Sequence, residues 1–287
     1  MTRLTPFEPA NERDVETSTQ LPYGFYPFWF WNDDLCEEEI RRQIEEMDRQ
    51  GIRGFYMHLR QGMHQPYLSE EFFDLVETAV FAAAERGMSA HVYDEYPYPS
   101  GVAGGEVVLG NPQFQATRLV QTSFDVDDGR VRRPLPRGRV LCCRAYRLTD
   151  SGGVDWDKER DLLPSVGMVL EEDSYNEAGL TAYNRKRYFA SRPTPVLSAE
   201  LPPGSWRVFV SVQCLVDSHK YWGHFTDVLN PEAVRHFLRL THERYADRIG
   251  GRFGKSVLSV FVDETSPGWS RLLPEAFRDR YDYDLLE

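Results

Sequence analysis

The sequence predicts an α/β fold: about the first four strand–helix units of a (β/α)8 barrel, with a β-rich insertion after the third strand. Apolar strand segments alternate with amphipathic helices over residues 22–112 and again over 219–287. This alternation at short spacing favours right-handed crossovers and a parallel sheet. Between them, residues 113–218 form short strand segments separated by turn residues. Four strands are half of a closed barrel, so the chain is expected to be truncated before barrel completion, with two paired copies as the alternative.

The first repeat begins after a polar lead-in over residues 1–21. Residues 25–31 are apolar on both faces, as expected of a parallel strand buried on both sides. The pattern then predicts a helix over 35–50, which ends at Gly51, and a second strand over 52–59. The helix places its apolar residues on one face, namely Ile40, Ile44 and Met47.

The later repeats carry clear helix-boundary signals. Ser69 is the expected N-cap of the second helix and Gly87 its end, before a third strand over 88–93. After the insertion, Asn230 and Pro231 begin a helix that is predicted to continue to residue 250. A fourth strand over 257–262 and a helix from residue 274 follow.

The insertion is predicted to form antiparallel β-structure. Its predicted strands cover residues 116–126, 139–148, 195–201 and 206–216, and residues 150–194 are charged and predicted to be irregular. Arg133, Arg137 and Arg139 lie close together, but Pro and Gly interrupt them, which predicts a solvated turn.

Composition excludes several classes of partner. The net charge of −12 argues against a nucleic acid or an anionic membrane as partner. The amino terminus lacks the apolar segment of a signal peptide, and the four Cys have no metal-type spacing. We therefore expect a cytoplasmic, reduced protein.

Two predicted strands end in acidic pairs, Asp94-Glu95 and Asp263-Glu264. Residues at the carboxyl ends of barrel strands face the catalytic mouth. Glu264 is the first candidate for a catalytic acid or base, because a neighbouring Trp269 would raise its pKa. Glu95 is the second candidate. The alternative is that these side chains cap a helix or pair with Arg.

Polar and aromatic residues near the same strand ends are candidates for substrate binding. They are Asn32, Asp33, His58, Arg60, Asp94, Tyr96, Asp263 and Trp269. Asn32 and Asp33 are equally explained as helix-capping residues, and His58 as a hydrogen-bonded core histidine. His58 with the nearby carboxylates would also suit a divalent metal, although no local motif supports this.

Several phrases of the chain, in order, resemble glycoside hydrolase family 106, the α-L-rhamnosidase type. The likeness covers about residues 22–110 and 225–287. The matching segments are 27–33 (PFWFWND) with 37–40 (EEEI), 51–58 (GIRGFYMH), 93–95 (YDE) with 99–101 (PSG), 227–234 (DVLNPEAV), and 253–255 (FGK) with 261–264 (FVDE).

The resemblance implies a catalytic barrel that hydrolyses glycosidic bonds with two carboxylic acids, with inversion and with calcium near the sugar. Glu264 would be one of the acids, and Glu95 or a later strand would supply the other. The expected partners are a carbohydrate, as in polysaccharide degradation, and the rest of a longer protein, without which the chain is expected to be inactive. The alternatives are a non-catalytic carbohydrate-binding protein and a metal-dependent barrel enzyme.

Overall fold

A computed structural model describes residues 23–178, 186–217, 219 and 221–286. The chain divides into two compact units. Unit 1 comprises Met1–Val107 and Arg235–Thr265, and unit 2 comprises Val108–Val234 and Ser266–Glu287. The fold is mixed α/β, with one parallel sheet and two antiparallel sheets among the described residues.

The strands are β1 (Phe28–Trp31), β2 (Gly54–Leu59), β3 (Ser89–Tyr93), β4 (Thr117–Val126), β5 (Arg130–Pro134), β6 (Arg139–Leu148), β7 (Val154–Asp161), β8 (Val166–Ala178), β9 (Lys186–Glu200), β10 (Trp206–Leu215) and β11 (Val260–Phe261). The helices are α1 (Glu37–Arg49), α2 (Glu70–Glu85), α3 (Glu106–Gly110), α4 (Pro231–Leu240), α5 (His242–Ile249) and α6 (Leu273–Tyr281).

Unit 1 is built on a four-stranded parallel sheet in the order β1-β2-β3-β11. Side chains alternate between the two faces of this sheet. One face carries Trp31 and Phe55, which are buried, and Trp31 contacts Phe72 of α2. The opposite face, which we call the aromatic face, carries Phe28, Phe30, Tyr56, His58, His91, Tyr93 and Phe261.

The rings of the aromatic face contact one another edge to face and by stacking. The Tyr93 ring stacks on His58 with centroids 3.9 Å apart and on Phe261 with centroids 5.8 Å apart. Phe28 and Phe30, on the outer strand β1, are 40% and 52% exposed. The face is therefore packed at its centre and open to solvent along β1.

The helix predicted from Asn230 to residue 250 is broken in the structure. It separates into α4 and α5 at Thr241, whose backbone has φ −116° and ψ −81°. The buried Thr241 hydroxyl donates to the Phe237 carbonyl at 2.8 Å. A Thr hydroxyl that bonds to a carbonyl four residues earlier bends a helix, and this explains the break.

Unit 2 contains two antiparallel sheets, in the orders β4-β10-β6-β7 and β5-β9-β8. Leu197 of β9 and Trp206, Val208 and Val210 of β10 are buried in one shared apolar core. The two sheets therefore pack as a β-sandwich, with alternate residues of each strand directed inward.

The strands and helices predicted for the first part of the chain lie close to their expected positions. Besides the broken helix, three further predictions differ from the structure. Residues 150–194, expected to be irregular, contain β7, β8 and the start of β9, while residues 179–185 lie outside the described chain. Arg133, expected in a turn, belongs to β5, and the fourth parallel strand is only two residues long.

The predicted domain boundaries stay predictions, and the two compact units group the residues in their own way. Residues 219–234 and 266–287 group with the β-rich unit rather than with the parallel sheet. Within the described residues, no helix has the length and apolar character needed to cross a membrane.

Candidate functional site

Asp94, directly after β3, is a buried carboxyl group at the carboxyl end of the parallel sheet. Its Oδ1 accepts a hydrogen bond from the Ser100 hydroxyl at 2.5 Å. Its Oδ2 has no hydrogen-bond partner and lies 3.4 Å from Nε2 of His242. Burial raises the pKa of Asp94 to about 6, against the opposing effect of the Ser100 hydrogen bond.

His242, the first residue of α5, is the neighbour that the sequence did not reveal. Its Nδ1 lies 3.0 Å from the hydroxyl of Thr241. Burial lowers the pKa of His242, so the ring is neutral at pH 7 and its contact with Asp94 is not an ion pair. No motif surrounds it, and the sequence placed it inside one continuous predicted helix, so nothing distinguished it from other helical residues.

Glu95 has surroundings quite unlike those of Asp94. It is fully buried, and its carboxylate accepts five backbone N–H groups, from Tyr96, Gly101, Val102, Ala103 and Gly104, at 2.7–3.0 Å. Burial raises the pKa of Glu95 to about 7, although these N–H groups favour the charged form. Glu95 thus orders the loop over residues 96–104, and no carboxylate oxygen is left for a substrate.

Asp263 is tied to the end of β3 by two residues. Its Oδ2 accepts from the Tyr93 hydroxyl at 2.6 Å. Its backbone N–H donates to the Ser100 hydroxyl at 2.9 Å, and the same hydroxyl donates to Asp94. Ser100 therefore joins the ends of β3 and β11, and Asp94 and Asp263 are held in one cluster.

Glu264 follows this anchored residue and is exposed. Its φ is +46°, in the left-handed region that residues with a side chain rarely adopt. Strained backbone of this kind clusters at functional sites. Glu264 and Glu95 therefore have opposite surroundings, an exposed carboxylate and one enclosed by backbone, and their predicted catalytic roles stay predictions.

His58 and Arg60 lie at the end of β2, beside this cluster. His58 is buried, and burial lowers its pKa, so it is a neutral ring within the aromatic face. The Arg60 guanidinium lies over the rings of Phe30 and Tyr98, at 5.4 and 5.3 Å from their centroids. Such cation–π contacts hold the guanidinium at the edge of the open part of the face.

The remaining predicted residues make other contacts. Asn32 and Asp33 are exposed after β1, and Asp33 accepts the N–H of Asp34. Tyr96 is half-buried, and its ring centroid lies 5.5 Å from that of Tyr67. Trp269 belongs to unit 2, where its indole N–H donates to Gln213 and its carbonyl accepts from Thr117.

The resemblance implies a calcium ion near the sugar, and this stays an expectation. In the described part of the chain, no group of three or more His, Cys, Asp and Glu side chains is arranged to hold a metal ion. We therefore assign no step to a metal.

Comparison with known proteins gives little further information. No protein-family model and no curated protein matches the chain. Among solved structures, the chain is similar to a rhamnosidase from Novosphingobium sp. PP1Y, with 14% identity and a TM-score of 0.44. The similarity covers 90% of this chain and 40% of the other, so this chain spans about two fifths of that structure. A similarity of this strength carries no argument about function.

Proposed function

We propose that this chain contributes to a glycoside hydrolase that cleaves O-glycosidic bonds, with Glu264 as its acid or base. The observation that supports this proposal is the position of Glu264 at the carboxyl edge of a parallel sheet. Glu264 is exposed, has left-handed backbone geometry and directly follows Asp263, which hydrogen bonds hold in place. We also propose that this sheet is part of a (β/α)8 barrel, in which that edge is the catalytic one.

The aromatic face of the same sheet suits a sugar substrate. Phe28 and Phe30 offer exposed rings against which the C–H face of a sugar packs. Arg60, held between aromatic rings, offers donors for hydroxyl groups. An α-L-rhamnoside-like substrate is the finer proposal, and it rests on the family resemblance of the sequence.

In this proposal the three carboxyl groups have different roles. Glu264, being accessible, meets the glycosidic oxygen or the attacking water. Asp263 positions it, because both its carboxylate and its N–H are fixed by Tyr93 and Ser100. Asp94 stabilises the same arrangement by accepting a hydrogen bond from the Ser100 hydroxyl.

The test compares Glu264→Gln with Glu275→Gln, a control at an exposed acid of α6, in the full-length protein. The substrates are 4-nitrophenyl and 2,4-dinitrophenyl α-L-rhamnosides. Loss of a general acid or base lowers kcat/KM by about 10²–10⁴-fold. If Glu264 is the acid, the dinitrophenyl substrate, whose leaving group needs no proton, loses much less. Near-normal rates of Glu264→Gln on both substrates would remove Glu264 from the mechanism.

A second candidate is a carbohydrate-binding protein without catalysis, and the exposed rings of Phe28 and Phe30 favour it. In that case calorimetry would detect rhamno-oligosaccharide binding that Phe30→Ala weakens, while no reducing sugar is released by the full-length protein. Release of reducing sugar that Glu264→Gln abolishes would exclude this candidate.

A further inference from the structure

Ser100 holds the main chain on both sides of Glu264. Its backbone N–H donates to the Asp263 carbonyl at 2.9 Å, and its hydroxyl accepts the Asp263 N–H at 2.9 Å. Its carbonyl accepts the Thr265 hydroxyl at 3.3 Å. Asp263 and Thr265 are the two neighbours of Glu264 in the chain. The place of the Glu264 backbone therefore depends on where Ser100 lies.

Ser100 is in turn held by a row of contacts that leads back to the break between α4 and α5. Its hydroxyl donates to Oδ1 of Asp94 at 2.5 Å. Oδ2 of Asp94 lies 3.4 Å from Nε2 of His242. Nδ1 of His242 lies 3.0 Å from the Thr241 hydroxyl, which lies 2.8 Å from the Phe237 carbonyl. We call these five residues the relay.

The relay lacks one proton when Asp94 is charged and His242 is neutral. It has three contacts between the Phe237 carbonyl and Asp94, and in each of them an N–H or O–H group must face a lone pair. The Thr241 hydroxyl supplies one of these protons, and the neutral imidazole of His242 supplies another. Nothing supplies the third. Accordingly, Oδ2 of Asp94 has no hydrogen-bond partner, although the side chain is only 1% exposed.

One added proton completes the relay. Burial raises the pKa of Asp94 to about 6 and lowers the pKa of His242, so the added proton lies on Oδ2 of Asp94 and is donated to Nε2 of His242. Nδ1 then keeps its own proton for the Thr241 hydroxyl. The pair has no net charge in this form, which suits a buried position. Both oxygens of Asp94 are then held, one by Ser100 and one by His242.

The other titratable groups that face Asp94 do not supply this proton. Three of them are tyrosines in α5, in β3 and in the loop before α2, and burial raises the pKa of each, so they stay neutral: Tyr245, Tyr93 and Tyr67. After burial, the charge of Asp263 is a further cause that raises the pKa of Asp94. Burial raises the pKa of Glu95 to about 7, but its oxygens face backbone N–H groups of the next loop. A substitution of Asp94 itself therefore isolates the proton of the relay.

We propose that His242 is a positioning residue for Glu264, which it holds through Asp94 and Ser100 only while the relay carries the added proton. This inference rests on the role proposed for Glu264. Loss of the proton leaves the buried Asp94 carboxylate held at one oxygen, and an unpaired buried oxygen is costly. The segment around Glu264 is therefore held more firmly in acid than in base. All the residues involved belong to unit 1.

The test compares a variant that keeps the relay complete with one that breaks it. In Asp94→Asn the amide oxygen accepts from Ser100 and the NH2 group donates to Nε2 of His242, so no added proton is needed. His242→Phe keeps an aromatic ring and removes both ring nitrogens. His64→Phe, at an exposed histidine outside the relay, is the matched control. Hydrogen exchange of the Asp263 amide, whose N–H donates to Ser100, is measured in the full chain at the same pH for every variant.

The two variants should differ from wild type at opposite ends of the pH range. At about pH 5 we expect Asp94→Asn to exchange like wild type and His242→Phe to exchange about threefold to tenfold faster. At about pH 8, where wild type has lost the added proton, we expect His242→Phe to match wild type and Asp94→Asn to exchange more slowly by about the same factor. His64→Phe should match wild type throughout.

The rate of the full-length protein on 4-nitrophenyl α-L-rhamnoside, measured as kcat/KM, should follow the same pattern. A difference from wild type that is equal at both pH values would show that His242 and Asp94 have only a structural role, and this would overturn the proposal. If exchange follows the expected pattern while Glu264→Gln keeps normal rates, the relay holds and the role proposed for Glu264 is wrong.

Discussion

Glu95 shows how much a single residue's surroundings decide its role. Its two carboxylate oxygens accept five backbone N–H groups from one loop, in a fully buried position. A carboxylate is the only side chain that offers acceptors on both oxygens and no donor. Its position at a strand end is thus explained by the loop that it orders, and its predicted catalytic role stays a prediction.

Replacing Glu95 with Gln should destabilise the protein. An amide places an NH2 group against two or three of the N–H donors that now point at an oxygen. We expect a loss of about 2–5 kcal/mol in the free energy of unfolding, measured by urea denaturation. Glu71→Gln, at an exposed position of α2, should change stability by less than about 0.5 kcal/mol. Equal stability of the two variants would contradict this account.

The raised pKa of Asp94 predicts that the free energy of unfolding depends on pH. Its folded-state pKa is raised from 3.8 to about 6, so the folded state favours the protonated form. The stability that protonated Asp94 contributes is fully present below the pKa of the unfolded state. It is lost as the pH rises through the pKa of the folded state. Asp94→Asn resembles the protonated form, so relative to wild type it should gain up to about 3 kcal/mol between pH 4 and pH 7.

The measurement is urea denaturation of both proteins across that pH range. In Asp94→Asn the new amide keeps an acceptor for Ser100 and faces a neutral His242, so the replacement adds no unpaired charge. A difference between the two proteins that does not change with pH would show that Asp94 does not titrate in this way.

The sequence located both acidic pairs but could not assign roles within them. Which carboxylate of Asp94-Glu95 is enclosed depends on the loop that follows, where Gly101, Ala103 and Gly104 have positive φ. The convergence of several backbone N–H groups on one carboxylate cannot be predicted from the residue types of the loop. Ser100 and His242 escaped prediction for the same reason, since their importance comes from long-range contacts.

Among the elements, α2 shows a boundary that sequence chemistry does determine. Ser69 has extended backbone geometry and its hydroxyl accepts the Phe72 N–H at 3.1 Å. We expect Ser69→Ala to lower the free energy of unfolding by about 1 kcal/mol, because the N–H loses its cap. Thermal denaturation is the measurement, and Ser198→Ala, at an exposed position of β9, is the control. An unchanged melting temperature in Ser69→Ala would show that the cap contributes nothing.

Elements with one buried face were predictable, and elements without one were not. The apolar periodicity of α1 and α2, and the apolar strands β2 and β3, all lie near their predicted positions. The strand β7 is charged and mostly exposed, so no alternation of apolar and polar residues identified it. The break at Thr241 was missed because the helical pattern continues through it, and the bend accompanies a side-chain hydrogen bond that Thr241 adds to the Phe237 carbonyl.

At the scale of the whole molecule, each unit has its own basis for stability. In unit 2, Leu197 lies in the central strand of its sheet, pairs with Arg133 and Val166, and is completely buried. We expect Leu197→Ala to cost about 2–5 kcal/mol in the free energy of unfolding. Met168→Ala, 61% exposed in the same sheet, should change it by less than about 0.5 kcal/mol.

Urea denaturation with hydrogen exchange of the β5 and β10 amides checks this expectation. Faster exchange in those strands for Leu197→Ala, and unchanged exchange for Met168→Ala, would agree with it. Slow exchange in both variants would mean that this leucine is not part of the cooperative core of the sandwich.

Total charge is a whole-molecule property, and it does not report how charge is distributed locally. The net charge of −12 argues against a nucleic acid or an anionic membrane as partner, and this stays a prediction, while four arginines are among the residues that line one cavity of unit 2. Three of them stand far apart in the chain, at positions 118, 139 and 271, and the first two are paired with consecutive residues of β10, on opposite faces of the sheet. A sum over residues does not contain this information.

The two-residue strand β11 leaves the parallel sheet with main-chain N–H and C=O groups unpaired along one border, as far as the described residues extend. Val260 and Val262, both exposed, flank that border with apolar side chains. Such a border is a template on which another polypeptide can add itself, whatever its sequence. In concentrated preparations we expect molecules to associate there, and Val262→Lys is the change that should keep them monodisperse.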